Sequence, residues 1–225
     1  MKAPAYRKSD YWSLKARKEG YPARSVYKLA EMDEKFGLLA GSLRGGGGVL
    51  DLGAAPGSWS LYVLRKRGTG QGGVNRISLT AVDIAPLPGD GGGLFGGDGF
   101  FFIRGDITAG EIREEVLRRG PYRLLLCDAA PATSGNRSLD TLRSLELAET
   151  ALGYAEAALE RGGSMAVKVF QGGDSPALLG RIRELFSSGR SFKPKACRGN
   201  SFEIYYLGIG KKSATPVRGS EGGGS

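Results

Sequence analysis

Five short apolar runs recur along the chain: VLDLG (49–53), ISLTAVD (77–83), FFFIRGD (100–106), YRLLLCD (122–128) and SMAVKVF (164–170). Continuous runs this short read as strands buried on both faces. Helical spacing fills the gaps, at about Ser58–Lys66, Glu111–Arg119, Leu139–Arg161 and Ala177–Ser188. Strands that alternate with helices need long crossovers, and the stable result is a parallel sheet wound on both faces. In such sheets ligands sit at the carboxyl ends of the strands. Asp51 with Gly53, Asp83, Asp106 and Asp128 all fall at those ends, and together they mark a site. Upstream, Ser9 is placed to cap a helix running to Glu19 with Gly20 as its stop, and a second helix is expected over Ser25–Phe36. At the other end, SFKPKA (191–196) and FEIYYLGIG (202–210) read as an antiparallel pair.

A length of 225 residues suits one domain. The net charge of +9 is unevenly spread. Residues 1–28 hold eight basic and two acidic side chains, and residues 181–225 hold nine and three. Residues 29–180 are slightly acidic. Basic ends fit either a polyanion partner or two solvated tails. The chain has no histidine, which excludes an imidazole base, a histidine triad and histidine metal ligands. Two cysteines make no disulfide framework, and no signal-like or membrane-length apolar run is present, so a soluble cytoplasmic protein is expected. The 38 glycines cluster at 45–48, 68–73, 89–99 and in the tail, where they read as linkers.

The first strand runs into Asp51-Leu-Gly-Ala-Ala-Pro-Gly57-Ser-Trp59. This turn has G-x-x-x-G and lacks the G-x-G-x-x-G of a dinucleotide fold, which disfavours hydride transfer. It still lets backbone approach a ligand. Asp83 is placed to accept hydrogen bonds from a ribose diol, and Asp106 from an adenine amino group. That layout suits S-adenosylmethionine. A tight turn in any doubly wound fold is the competing account.

Four residues look misplaced in a pure scaffold: Lys28 in ARSVYKL, Asp128 in CDAAPATSG, Lys168 in the apolar VKVFQG, and Glu203 in SFEIYYLGIGKK. Burying an ammonium such as that of Lys168 is costly. With VLDLGAAPGSWS, these segments resemble the FtsJ-like (RrmJ-type) RNA 2′-O-methyltransferases from about Tyr11 to Lys212. The resemblance implies a Rossmann-like class I methyltransferase fold: a mostly parallel seven-stranded sheet with helices on both faces and an antiparallel C-terminal strand. It implies S-adenosyl-L-methionine as cofactor, with no metal. Carried over, the catalytic residues are Lys28, Asp128, Lys168 and Glu203, with Lys168 as proton acceptor. The cofactor contacts are Gly53, Gly57, Trp59, Asp83, Asp106 and Asp128. Burial and Lys28 would lower the Lys168 pKa, and the carboxylates would oppose them. The expected divisions are a basic helical segment (1–44), a methyltransferase domain (45–212) and a disordered tail (213–225).

The basic ends then point to RNA. Arg7, Lys8, Lys15, Arg17, Lys18 and Arg24 interleave with Tyr6, Tyr11, Trp12 and Tyr21, and Lys195 and Arg198, with Lys193, Lys211 and Lys212, supply a second rim. The aromatics are equally readable as buried against the domain. The expected partner is ribosomal RNA or the assembled large ribosomal subunit, with a uridine as target and a monomer as the acting form. The tRNA anticodon loop is the alternative substrate. An RNA-binding protein without catalysis and a small-molecule methyltransferase are the competing classes.

Overall fold

The computed structural model of the chain describes residues 11–43, 46–67, 77–88, 95–197 and 201–213. Three helices come first: α1 (Tyr11–Lys18), α2 (Val26–Phe36) and α3 (Leu38–Leu43). Ser25 stands at the α2 N-cap position, and Gly37 stops the helix at φ 64, its N–H closing on the Asp33 carbonyl. A left-handed stop of this kind favours glycine. Asp33 then receives the Leu39 N–H (2.8 Å) and the hydroxyl of Tyr62 on the helix over residues 58–67 (3.0 Å), so one carboxylate starts α3 and ties α2 to that helix.

The remainder alternates: β1 (Gly48–Leu52), α4 (Ser58–Arg67), β2 (Leu79–Asp83), β3 (Phe100–Arg104), α5 (Gly110–Arg118), β4 (Tyr122–Cys127), α6 (Arg137–Ala158), β5 (Leu159–Phe170), α7 (Ser175–Leu185), β6 (Phe186–Phe192) and β7 (Glu203–Lys211). The seven strands lie in the order β3-β2-β1-β4-β5-β7-β6. β1 to β5 are mutually parallel, and β7 runs antiparallel to both its neighbours. The expected parallel, doubly wound sheet with a reversed strand near the C-terminus is therefore what forms. The winding reverses between β1 and β4, which puts Gly53 and Asp128 together at the switch point.

Helices cover both faces. α5, α6 and α7 pack on one side with Leu50, Leu125, Val167 and Tyr206. On the other, Ala16, Val26, Leu29, Met32 and Leu39 share a cluster with Val49, Trp59, Leu124 and Tyr205. The N-terminal helices thus belong to the same core as the sheet. The 44/45 boundary and residues 214–225 lie outside the described residues.

Three boundaries differ from expectation. α7 ends at Leu185 and the chain enters β6 at once, so SFKPKA gives only Ser191 and Phe192 to a strand. Pro194 has no N–H for a ladder bond, whereas Phe186 is fully buried and anchors β6. α6 ends at Ala158, and β5 begins at Leu159, already paired with Tyr122. The glycine-rich 89–99 stretch is more than a linker in its described part, because Phe95 is buried against Ala54, Leu61 and Leu87.

Candidate active site

Local packing brings the four misplaced residues together. The Ser58 hydroxyl accepts the Ala23 N–H (2.7 Å), and the Trp59 indole N–H donates to the Ser25 carbonyl (2.8 Å). These bonds clamp the approach to α2 onto the start of α4 and so fix Lys28. Its ammonium lies 2.8 Å from Glu203 Oε1 at the start of β7. Lys168 Nζ on β5 lies 3.1 Å from Asp128 Oδ1 and donates to the Asp128 carbonyl at 2.5 Å. Both lysines are only 7 % exposed. The two lysines and the two carboxylates face one another in pairs, which is how buried ionisable groups are tolerated.

Tyr205 completes the cluster, and the motifs did not announce it. It pairs with Lys168 across β5 and β7, and its hydroxyl donates to Asp128 Oδ1 at 2.7 Å. The signal available was strand period: Tyr205 stands two residues after Glu203 and so shares its face. Its ring packs on Trp59 with centroids 5.8 Å apart.

The electrostatics follow from burial and pairing. Burial pulls the Lys28 pKa down, but the Asp128 and Glu203 carboxylates outweigh it and the net shift is upward. Burial pushes the Asp128 carboxyl up, yet the Lys168 and Lys28 cations and the Tyr205 hydroxyl hold it below the usual range. Burial, aided by the Asp128 and Glu203 charges, keeps Tyr205 protonated.

Beside the cluster lies a cavity of about 430 Å³, lined among others by Gly53, Asp83, Ile84, Asp106, Asp128 and Leu147. Asp83 is oriented by the Ala55 and Ala85 N–H groups, each at 2.8 Å. Asp106 receives the Thr108 N–H (2.9 Å) and hydroxyl (2.8 Å) on one oxygen, which lowers its pKa. Gly53 has φ +72, and a Cβ there would stand 2.5 Å from the Ala129 backbone, so the close approach of β1 to the β4 turn demands glycine. Two residues past Ala132 of that lining, the Ser134 N–H and hydroxyl both donate to Asp140 at 2.8 Å.

Of the expected cofactor contacts, Gly53, Asp83, Asp106 and Asp128 line this cavity. Gly57 and Trp59 are not among its lining residues. Gly57 backs onto the Phe95 ring, and Trp59 is buried behind Tyr205. Asp51 is also withdrawn from the cavity. It is 1 % exposed, receives the Ser60 hydroxyl on Oδ2 at 2.6 Å, and has no partner for Oδ1. Burial raises its pKa to about 7; the Ser60 bond opposes this, and the Asp128 and Asp83 charges add to it.

The basic residues separate into three groups. Arg17 and Lys18 are exposed on α1, and Lys195 is exposed on a segment whose backbone N–H bonds Glu31 of α2 at 2.7 Å. Lys15 sits 4.7 Å above the Tyr27 ring and 3.9 Å from Glu19, and Arg24 is half-buried. Arg7, Lys8 and Arg198 lie outside the described residues, as does Tyr6. Lys193 Nζ is turned to the Ser201 carbonyl (2.7 Å). Lys211 and Lys212 do not form a rim beside the site. They stand at the opposite end of β7 from Glu203, where Lys211 bonds the Glu156 and Leu159 carbonyls and Lys212 those of Arg183 and Glu184. Cations satisfy helix C-termini in this way. Among the N-terminal aromatics, Tyr11 is exposed, Trp12 packs on Tyr27 at 5.1 Å, and Tyr21 holds the Arg65 guanidinium at 4.2 Å.

Comparison with known proteins places these features in a wider set. The family model described as FtsJ-like methyltransferase matches residues 21–211. A ribosomal RNA large subunit methyltransferase E from Treponema denticola is 47 % identical over 207 residues, covering 91 % of this chain and 96 % of its own. The protein of the same name from Borreliella afzelii is 42 % identical, over 89 % of this chain and 97 % of its own. A solved ribosomal RNA methyltransferase from Plasmodium falciparum superimposes with a TM-score of 0.67 at 24 % identity, over 85 % of this chain and 98 % of that one, and shares the fold.

Proposed function

Since the chain belongs to the FtsJ-like methyltransferase family, we propose that it transfers a methyl group from S-adenosylmethionine to a ribose 2′-hydroxyl of large-subunit ribosomal RNA. The observation that carries this reading is the dual position of Asp128, which lines the cavity and accepts from both Lys168 and Tyr205. A cofactor in the cavity and a ribose on the ion pairs would meet at that residue.

The lining suits the cofactor. Asp83 and Asp106, at or just beyond the ends of adjacent strands, offer acceptors for a ribose diol and an adenine amino group. Ile84, 69 % exposed, offers an apolar surface to a flat ring, and ionised Asp128 attracts a cationic centre. S-adenosylmethionine, when bound, supplies a methyl group already activated on sulfur. What this chain supplies is placement and a base. Lys28 is held protonated by its carboxylates, so it donates hydrogen bonds. That leaves Lys168, as the neutral amine with a free lone pair, to take the 2′-hydroxyl proton and become the ammonium while Asp128 orients it, and the Lys28–Glu203 pair to position the ribose. Exposed Arg17, Lys18 and Lys195 grip phosphates. Likeness over 91 % of this chain to a protein named for the large ribosomal subunit favours that substrate over tRNA.

The test is Lys168→Ala, assayed for labelled-methyl transfer to undermethylated large subunits and to bulk tRNA, with cofactor binding measured separately. The expected result is a loss of about 10²-fold or more on subunits with cofactor binding kept. Methylation retained at the wild-type rate removes Lys168 from the base role, and preference for tRNA removes the ribosomal assignment.

A further inference from the structure

A second cavity of about 470 Å³ opens beside the ion-pair cluster, separate from the first. α6 divides them: Leu147 lines the first, whereas Thr141, Leu142 and Leu145 line the second. The opposite wall is the turn Gln171–Asp174 that follows β5. The Gln171 N–H donates to the Phe202 carbonyl at 2.9 Å, and Phe170 is the register partner of Glu203. The groove therefore begins next to Glu203 on both strands.

At that junction Arg137 lays its guanidinium 5.1 Å above the Phe202 ring, and Phe202 packs on Phe170 at 4.6 Å. The lining combines an apolar floor, Leu145 and the 54 % exposed Leu142, with the hydrogen-bonding side chains of Ser138, Thr141 and Gln171. Charge within it is divided. Arg137 is the single cation among the lining residues, and Asp174 is the single carboxylate. Asp174 stands at the α7 N-cap but makes no capping bond there, so its charge remains in the groove. A carboxylate repels phosphate from the interior, and a guanidinium attracts it to the mouth. An uncharged flat group with polar edges fits the interior, and cavities of this size suit small organic groups.

We propose that this groove is a subsite for the base of a nucleotide adjacent to the one methylated, with Arg137 on the intervening phosphate and Leu142 beneath the base. The subsite rests on the RNA-methylation reading. It extends recognition from the target ribose to its neighbour, and it makes Gln171, Thr141 and Asp174 the side chains that read the base edge. Because the groove wall starts one residue beyond Phe170, the register partner of Glu203, a base in it lies next to a ribose held against the Lys28–Glu203 pair.

Two full-length variants, Arg137→Ala and Leu142→Asn, test this on undermethylated large subunits; both positions are exposed, and thermal melting checks the fold. Each is expected to raise the KM for RNA about 10-fold, as loss of one stacked base does, with kcat and cofactor affinity near wild type. Arg137→Ala alone should also reduce the slope of log KM against log salt, by about 1. Unchanged KM in both variants overturns the subsite while wild-type methylation of RNA leaves the reaction standing. A fall in kcat at constant KM overturns it equally. A wild-type chain that methylates no RNA sinks the reaction and the subsite together.

Discussion

Asp51→Asn should stabilise the protein at pH 8, and by progressively less as the pH falls to 5. The carboxyl is buried in β1 with one hydrogen bond, from Ser60, and an orphaned Oδ1. Burial holds its pKa at about 7, whereas a carboxyl in the unfolded chain titrates near ~3.9. Between those values the folded chain keeps a proton that the unfolded chain has lost. Stability therefore falls as pH rises, by about 1.4 kcal/mol per unit. From pH 5 to pH 8 the wild-type loss is about 2–3 kcal/mol, and over the whole range about 4 kcal/mol. Asparagine does not titrate, but its amide leaves N–H groups unmatched at the Oδ1 position, at about 1–3 kcal/mol at every pH. The variant should end about 1–3 kcal/mol ahead of wild type at pH 8. Urea unfolding of both proteins at pH 5, 6, 7 and 8 gives the difference. No histidine titrates in that window, and the remaining groups are common to both proteins. A difference that stays constant across the four pH values refutes the argument.

Other expectations follow from the same geometry. Tyr205→Phe keeps the ring on Trp59 but removes the hydroxyl from Asp128, and loss of a hydrogen bond to a charged group costs about 1.5–3 kcal/mol. Calorimetry should show a melting point lower by about 3–12 °C, with slower methylation; an unchanged melt and rate would show that Asp128 does not need the hydroxyl. Gly53→Ala forces φ +72 on a residue with a Cβ and drives that atom into Ala129, for about 2–5 kcal/mol in urea unfolding and weaker cofactor binding by calorimetric titration. Arg17→Ala with Lys18→Ala should flatten the salt dependence of RNA binding by about 2 in log–log slope. Lys211→Met should leave that slope alone and lower the melting point, since its ammonium bonds the end of α6.

Much of the architecture is written in local pattern. The five apolar runs all became strands; four are largely buried on both faces, whereas β3, at the sheet edge, is only partly buried. β6 was missed since Ser187, Ser188 and Gly189 carry no strand signal, and its place is set by pairing with β7, a contact distant in sequence. α3 was missed for a related reason: Asp33, on the preceding helix, supplies its cap. In the site, Lys168 is conspicuous as a charge inside an apolar strand, whereas Lys28, Asp128 and Glu203 are singled out as a set only by the family resemblance. Tyr205 is not, because a tyrosine in a strand is ordinary until its partner is known. Lys211 and Lys212 counted as free charge in the sequence, whereas the ends of α6 and α7 claim them.

The sheet order has a consequence for the moment at which the protein becomes an enzyme. β7 is the last of the described strands in chain order, yet it lies between β5 and β6, and it brings both Glu203 and Tyr205. While the chain is being synthesised, β5 presents an open edge and β6 has no neighbour to pair with. Lys28 faces Asp128 without its ion-pair partner Glu203 until β7 slides into that gap. A chain lacking β7 therefore keeps the residues that line the cavity but lacks Glu203 and Tyr205, the partners of Lys28 and Asp128.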